Sequence, residues 1–423
     1  MLASWTVAKL MGVWHIMRQG LKTGPTNWGS EGMDADMTAI RDPRDRLGEM
    51  RREHSARCAD YLRASGPATI AAIAEAVGLS KPTVKDRLVD LMEVDVVTDA
   101  GPEYSGGAGR PASWFSFNPS VAHVIGLDLG QHVERLAIVD LGGTVHHAES
   151  RQVDPSVSAD QRLENARQWV QRARDSVSTP LGQWAGIGVS LPGPITQAGS
   201  LRDPAAFQEW VGQAVLPRLT DAFDAPVLAV HDLEAALLAE HRMGAARGVD
   251  TFVLPVLWHD IAAGIQIDGS IYGGARRSEG EPYHLRRVRE ASRRTEWSTV
   301  DDIRALIASA AVDPAAKESL DAFADTAAEQ IAMLLLVIDP ELVLLHGPLV
   351  DDELLVKTVA QRVRHHAGRQ DIEIDVSRFR QSSSLIGAAL AVLEEASDRL
   401  IGPGLRPIDV VWDAWSVPLS RAG

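Results

Sequence analysis

The sequence predicts an α/β protein fronted by a winged helix-turn-helix. Three observations carry this. A short amphipathic helix, a glycine turn and a second helix opening Ser-Lys-Pro-Thr lie close together near residue 80. A glycine-rich hairpin follows them. From residue 123 onward, short apolar strands ending in glycine turns alternate with Ala/Leu-rich helices, the pattern of an α/β domain. A length of 423 residues accommodates two or three domains.

Residues 1–44 differ from the rest, mildly apolar at first and then polar and rich in turn formers. They lack the small-residue cleavage site of a signal peptide and read as a disordered leader, or as sequence upstream of a start at Met33 or Met37. The DNA-binding module is placed at residues 45–120. Arg46–Ala64 is amphipathic and helical. Ile70, Ile73, Ala74 and Val77 then recur at helical spacing, Gly78 breaks the helix and Leu79 plugs the gap between the two helices. Ser80 is a good N-cap, Pro82 fits the first turn, and Val84, Leu88 and Leu91 form the buried stripe of the next helix. This is a helix-turn-helix, whose second helix enters the major groove.

Ser80, Lys81, Thr83 and Lys85, at the start of that helix, are the candidate DNA contacts. Asp86 repels phosphate; it accepts from a cytosine amino group or, more simply, sits in solvent beside Lys85. The stretch "VVTDAGPEYSGGAGRPASWFSF" forms a β-hairpin wing with strands near Val96–Val97 and Ser113–Phe117. Its tip carries one cation, Arg110, in a slim Gly-Arg-Pro suited to a narrow minor groove.

Composition bounds the rest. A net charge of −15 argues against broad affinity for nucleic acid but permits a local DNA-reading face, since Arg46–Trp114 holds nine Lys/Arg against ten Asp/Glu. No apolar run is long enough to span a membrane, and the single cysteine, Cys58, excludes an internal disulfide and any Cys-based zinc site. A cytoplasmic location with no membrane partner is expected.

The body offers five stretches in order: "GLDLG" ending a strand at Asp128-Leu129-Gly130, "GIGVSLPGPI", "HDLEAALLAEHRMGAARG", "IDGSIYGGA…GEPYH" and "IDPELVLLHGPL". Together with the helix-turn-helix and the "GRP" wing, they follow the order of the ROK (repressor, open reading frame, kinase) family, and from Arg46 to Ala396 the chain resembles that family. Its members include bacterial sugar kinases and sugar-responsive transcription factors, and the N-terminal module is the regulators' arrangement. The resemblance implies a two-lobed actin-like fold, of the sugar-kinase and Hsp70 type, over residues 121–400, leaving 401–423 as a tail with Trp412 and Trp415.

The resemblance also implies Asp232 as the kinase base, with the family's sugar-binding asparagine replaced by His231. Glu281 and His284 match a Glu-x-Gly-His sugar-binding motif. His231, Asp232, Glu281 and His284 are therefore the candidate ligand-binding residues. Tyr283 and Trp210 are possible stacking partners for a sugar face, although both residue types more often belong to a core or rim. Arg276, Arg277, Arg286 and Arg287 suggest either an anionic effector or a solvated charge cluster.

The family's second phosphate loop is Gly-Thr-Gly-Ile-Gly, whereas this chain has Trp258-His259-Asp260-Ile261-Ala262. Trp258 and Ala262 remove the close backbone approach that glycine permits. Asp260 adds a like charge that costs about 4 kcal/mol at ~4 Å from a phosphate. His132 replaces a Thr or Ser in the first phosphate hairpin, and His346 stands where a glycine is common. A lone His284 without cysteines gives no zinc site.

The expectation is a transcriptional regulator, a repressor, without catalytic residues, metal or cofactor. Its partners would be operator DNA and a sugar or sugar-phosphate effector, and it would act as a homodimer or homotetramer. An active sugar kinase that also binds DNA, and a regulator whose sugar pocket is dead, are the alternatives.

Overall fold

A computed structural model of the chain describes residues 43–102, 113–196, 199–202, 207–258, 261–274, 280, 299–403, 405 and 419–420. The chain forms two compact units, Met1–Val121 with Glu394–Pro407, and Ala122–Leu393 with Ile408–Gly423.

In the smaller unit, α1 (Pro43–Ser65), β1 (Ala68–Thr69), α2 (Ile70–Val77) and α3 (Lys81–Glu93) precede a hairpin of β2 (Val97–Pro102) and β3 (Ser113–Phe117). The Thr69 side chain accepts from Ala72 N to start α2, and Gly78, at φ 66°, ends it in the left-handed conformation that only glycine adopts freely. The Arg57 guanidinium donates to the Val77 carbonyl, a cation at the helix C-terminus. Ser80 caps α3 by accepting from Thr83 N. Ile73, Ala74, Val77, Val84, Leu88 and Leu91 are buried with Ala56, Cys58, Ala59 and Leu62 of α1. Burial pushes the Cys58 thiol up to about 11, so it packs as an inert apolar group. The strands pair in the order β1-β3-β2, with a bulge between Asp99 and Gly101. Ile401, assigned from sequence to a tail, is 5% exposed in this same core, and Arg52 Nη2 donates to the Asp398 carbonyl at 3.2 Å.

The larger unit holds two mixed sheets. The first contains β4 (Ala122–Leu129), β5 (Val133–Asp140), β6 (Val145–Gln152), β7 (Gln183–Leu191), β8 (Val227–His231) and β14 (Leu419–Ser420), in the order β14-β6-β5-β4-β7-β8. The second contains β9 (Phe252–Val256), β10 (Ala262–Ile267), β11 (Ser270–Ile271), β12 (Leu342–Leu345) and β13 (Glu373–Val376), in the order β11-β10-β9-β12-β13. Helices α4 (Ala159–Ser176), α5 (Val215–Phe223) and α6 (Asp232–Met243) follow strands of the first sheet. Helices α7 (Val300–Ser309), α8 (Pro314–Ile338), α9 (Glu353–Ala367) and α10 (Ser383–Leu400) follow in the second half.

Period-two alternation sorts the two faces of the first sheet. Ile125, Leu127, Leu129, Ile187, Val189 and Leu191 pack with Trp169 and Val170 of α4 and with Leu219 and Phe223 of α5. Gly126, Asp128, Gly188 and Ser190 fall on the opposite face. There α10 lies so close that a Cβ on Gly188 would meet the Ala388 carbonyl at 2.0 Å and one on Gly126 the Ala389 Cβ at 2.8 Å. Gly387 of α10 approaches α6 in the same way, since a Cβ there would meet the Ala235 carbonyl at 1.8 Å. Leu237 of α6 fills the space above Gly264 of β10 and shares a buried cluster with Phe252, Leu254, Leu342 and Leu344. Helix α6 therefore touches both sheets.

Gly188→Ala and Gly387→Ala should each destabilise the large unit by about 2–4 kcal/mol, because the added methyl meets backbone rather than a movable side chain. Gly48→Ala in α1, with nothing within 4 Å of the new methyl, should leave stability equal or raise it by about 1 kcal/mol. Urea midpoints of the three variants check this.

Candidate functional site

On the small unit, Ser80, Lys81 and Lys85 are exposed and Thr83 is half-buried, all on the first turns of α3. The Ser80 and Thr83 hydroxyls lie 2.7 Å apart, so both serve the cap as well as the surface. Arg87 is buried and pairs with Asp90 at 2.9 Å, and Arg51 of α1 holds the same carboxylate at 3.1 Å. Sequence periodicity had not marked Arg87 as part of the buried stripe. Arg110 lies outside the described residues.

In the large unit, parallel register aligns the carboxyl ends of β4, β7 and β8, with Asp128 beside Ser190 and Leu191 beside His231. Ligands of α/β sheets bind beyond such ends. Asp232 opens α6 as the sequence predicts, its Oδ1 accepting from Leu233 N at 2.8 Å, with His231 Nε2 at 3.1 Å. Its carbonyl accepts the Ser384 hydroxyl at 3.1 Å, which ties the start of α6 to α10. The Asp232 side chain is 32% exposed, whereas that of His231 is 13% exposed.

Side chains beyond the predicted ligand-binding residues complete this polar centre. Arg135 of β5 donates to Asp128 Oδ2 at 3.1 Å and to Gln381 Oε1 at 3.0 Å, and Ser190 donates to Asp128 Oδ1 at 3.2 Å. Burial pushes the Asp128 carboxyl up to about 6; the charge of Asp232 acts in the same direction and Arg135 opposes it. His346, beyond the end of β12, is buried with Nδ1 3.0 Å from the Ser377 hydroxyl. Burial holds its imidazole down at about 4, against the pull of Asp232. Glu240, fully buried on α6, accepts from Ala245 N, Arg378 N, Phe379 N and the Ser383 hydroxyl at 2.9–3.0 Å. That carboxylate clamps the far end of α6 to the segment entering α10.

The first hairpin is braced from below. Glu134, fully buried, accepts two N–H groups of Arg151 on Oε2 and two of Arg162 on Oε1, and Arg162 also donates to the Gly130 carbonyl at 2.6 Å. Above it the His132 ring faces Trp258 of the second loop, with centroids 6.3 Å apart and planes at 22°. Trp210 is a core residue, 1% exposed and stacked on Phe207 at 5.0 Å. His259, Asp260, Arg276, Arg277, Glu281, Tyr283, His284, Arg286 and Arg287 lie outside the described residues. Among the described residues no helix is long and apolar enough to cross a membrane, and no group of three or more His, Cys, Asp and Glu side chains could hold a metal ion.

The signs of the two pKa shifts are opposite. A depressed histidine contributes stability that is full above its ordinary pKa of 6.5 and is lost as pH falls through about 4. A raised aspartate contributes stability that is full below 3.8 and is lost as pH rises through about 6. His346→Gln should therefore lose less stability than the native chain between pH 6.5 and 4. Asp128→Asn should gain relative to the native chain as pH rises from 4 to 6. Urea midpoints at stepped pH read both effects.

The family model for the ROK family matches residues 124–295 and 289–395. The xylose repressor of Bacillus spizizenii is 26% identical over 226 residues, covering 52% of this chain and 57% of that protein. The DNA-binding transcriptional repressor Mlc of Escherichia coli is 24% identical over 210 residues, covering 49% and 51%. The chain thus spans about half the length of the curated relatives it matches. A ROK-family transcriptional regulator homologous to E. coli Mlc superposes with a TM-score of 0.62 at 20% identity, covering 84% of this chain and 98% of the other. The ROK hexokinase of Thermus thermophilus superposes at 0.52 and 23% identity, covering 65% and 99%. At such identities the superpositions speak for the fold: the two-lobed, actin-like architecture of ROK regulators and sugar kinases. With the family model running through both sheets and the helices that join them, the chain belongs to the ROK family.

Proposed function

We propose that this chain is a DNA-binding transcriptional regulator, a repressor, whose kinase-like body senses a sugar or a sugar-derived effector and transfers no phosphate. The observation that carries this reading is the pairing of a helix-turn-helix, both of whose helices are N-capped by a hydroxyl, with a kinase-like body whose two phosphate loops face each other through His132 and Trp258. Phosphoryl transfer requires the triphosphate and its cation to lie against a close backbone cradle. Trp258 and Ala262 stand where that cradle needs glycine. Arg135 supports the same reading, because it pairs with the buried aspartate at the end of the first strand.

Residues 45–120 serve as the DNA-binding domain and 121–400 as the effector domain. Ser80, Lys81, Thr83 and Lys85 position the recognition helix on phosphates, with Arg110 of the wing beside them. His231, Asp232, Glu281 and His284 hold the sugar or sugar phosphate by hydrogen bonds. Binding shifts the balance between conformations of unequal operator affinity. A homodimer or homotetramer is the working form. Leu336 and Val337, 64% and 81% exposed near the end of α8, support a second copy packing on that helix.

A panel of sugars and sugar phosphates should contain a ligand that raises the thermal midpoint of the native chain and leaves that of Asp232→Asn unmoved. If no panel member shifts the native chain, the sensing role is lost. The same panel with ATP should release no ADP above background in a coupled assay; turnover would establish a kinase instead. Lys81→Ala and Lys85→Ala should each weaken duplex binding about equally on all sequences. Each should also lower the slope of log affinity against log salt by about 1, read by fluorescence anisotropy.

A further inference from the structure

The helical positions of α3 sort its outward residues into a centre and a rim. Val84, Leu88 and Leu91 face the core. At about 100° per residue, the line opposite them runs through Pro82, Asp86, Val89 and Glu93. Lys81 and Lys85 lie to one side of that line and Thr83 and Asp90 to the other. In a helix lying in the major groove, the central line faces base edges and the flanks face the phosphate strands.

Two residues on the central line have no structural explanation. Val89 is 42% exposed, among the more exposed large apolar side chains of the small unit. Asp86 is exposed and makes no ion pair among the described residues. Asp90, one turn further on and to the side of that line, shows the contrast, since Arg87 and Arg51 both pair with its carboxylate. A bare carboxylate among phosphates is repelled, so it is compatible with the groove only where it meets a donor. In the major groove the matching donor for an aspartate is the amino group of cytosine, and the matching surface for an exposed valine is the methyl group of thymine. Three residues of helix advance about 4.5 Å, a little more than one base-pair step, so the two side chains meet neighbouring pairs.

We propose that Asp86 and Val89 are the sequence-reading residues of α3, Asp86 selecting a cytosine and Val89 a thymine at an adjacent step, while the lysines and hydroxyls at the start of the helix hold phosphate. This rests on the regulator reading above.

The test is selection of bound duplexes from a random library by the full chain and by Asp86→Ala and Val89→Ala. Both positions are exposed, and circular dichroism with thermal midpoints verifies that the variants fold. The native chain should select a motif with a cytosine next to a thymine. Asp86→Ala should lose the cytosine preference, at least about tenfold in relative affinity, with the other positions unchanged. Replacing the thymine by uracil, which removes only the methyl, should weaken the native chain severalfold and leave Val89→Ala unaffected. Identical motifs for native and variant chains, or equal weakening by uracil in both, overturns the assignment while leaving DNA binding in place. A native chain that selects no motif overturns this assignment and the regulator reading together.

Discussion

The large unit depends on how closely one helix can lie against a sheet and against a second helix. Helix α10 rests on Gly126 and Gly188 and meets α6 through Gly387, with backbone against backbone where any side chain would intervene. The contact sets the position of α6, and with it Asp232, because the Ser384 hydroxyl and the Glu240 clamp fasten both ends of α6 to the same region of chain. Helix α6 in turn reaches the second sheet through Leu237. A shift of α10 would therefore move the Asp232 carboxylate and both sheets as one. Close packing of this kind has discrete rather than graded alternatives.

Much of this was legible in the sequence, and the part that was has a physical reason. Gly78, Ser80 and Pro82 act within a few residues of themselves, so capping chemistry exposes the helix-turn-helix directly. Asp232 at a strand-to-helix junction is likewise a local signal. What stayed hidden depends on partners far along the chain. Three of the four donors to Glu240 come from residues 138 to 143 positions away, and nothing near it in sequence distinguishes it from a solvated helix glutamate. Arg135 looks like an ordinary charged strand residue until the register of β4 and β5 sets it opposite Asp128. The burial of Arg87 ran against its type and became explicable only with Asp90 and Arg51 beside it.

The polar centre illustrates how charge is handled where a sheet ends. Two carboxylates that sense each other, Asp128 and Asp232, share a space with one guanidinium and one neutral imidazole. An arginine cannot lose its proton in such surroundings, so Arg135 is a fixed cation whose position the fold sets. Gln381 and Ser190 complete the hydrogen bonding of the pair. Asp232 is left the most open of these groups, with His231 braced against it.

The small unit draws its last pieces from the opposite end of the sequence. Arg52 and Asp398, 346 positions apart, are joined, and Ile401 sits in a core whose other buried members among the described residues all precede residue 121, with Leu400 and Leu405 packed against that core. On the ribosome, α1, α2 and α3 are made well before Ile401, and residues 122–393 are synthesised between the first pieces of this core and its last. The module is thus late to mature although early to appear. A nascent chain caught between those two moments lacks Ile401 and exposes unfinished apolar surface in the small unit.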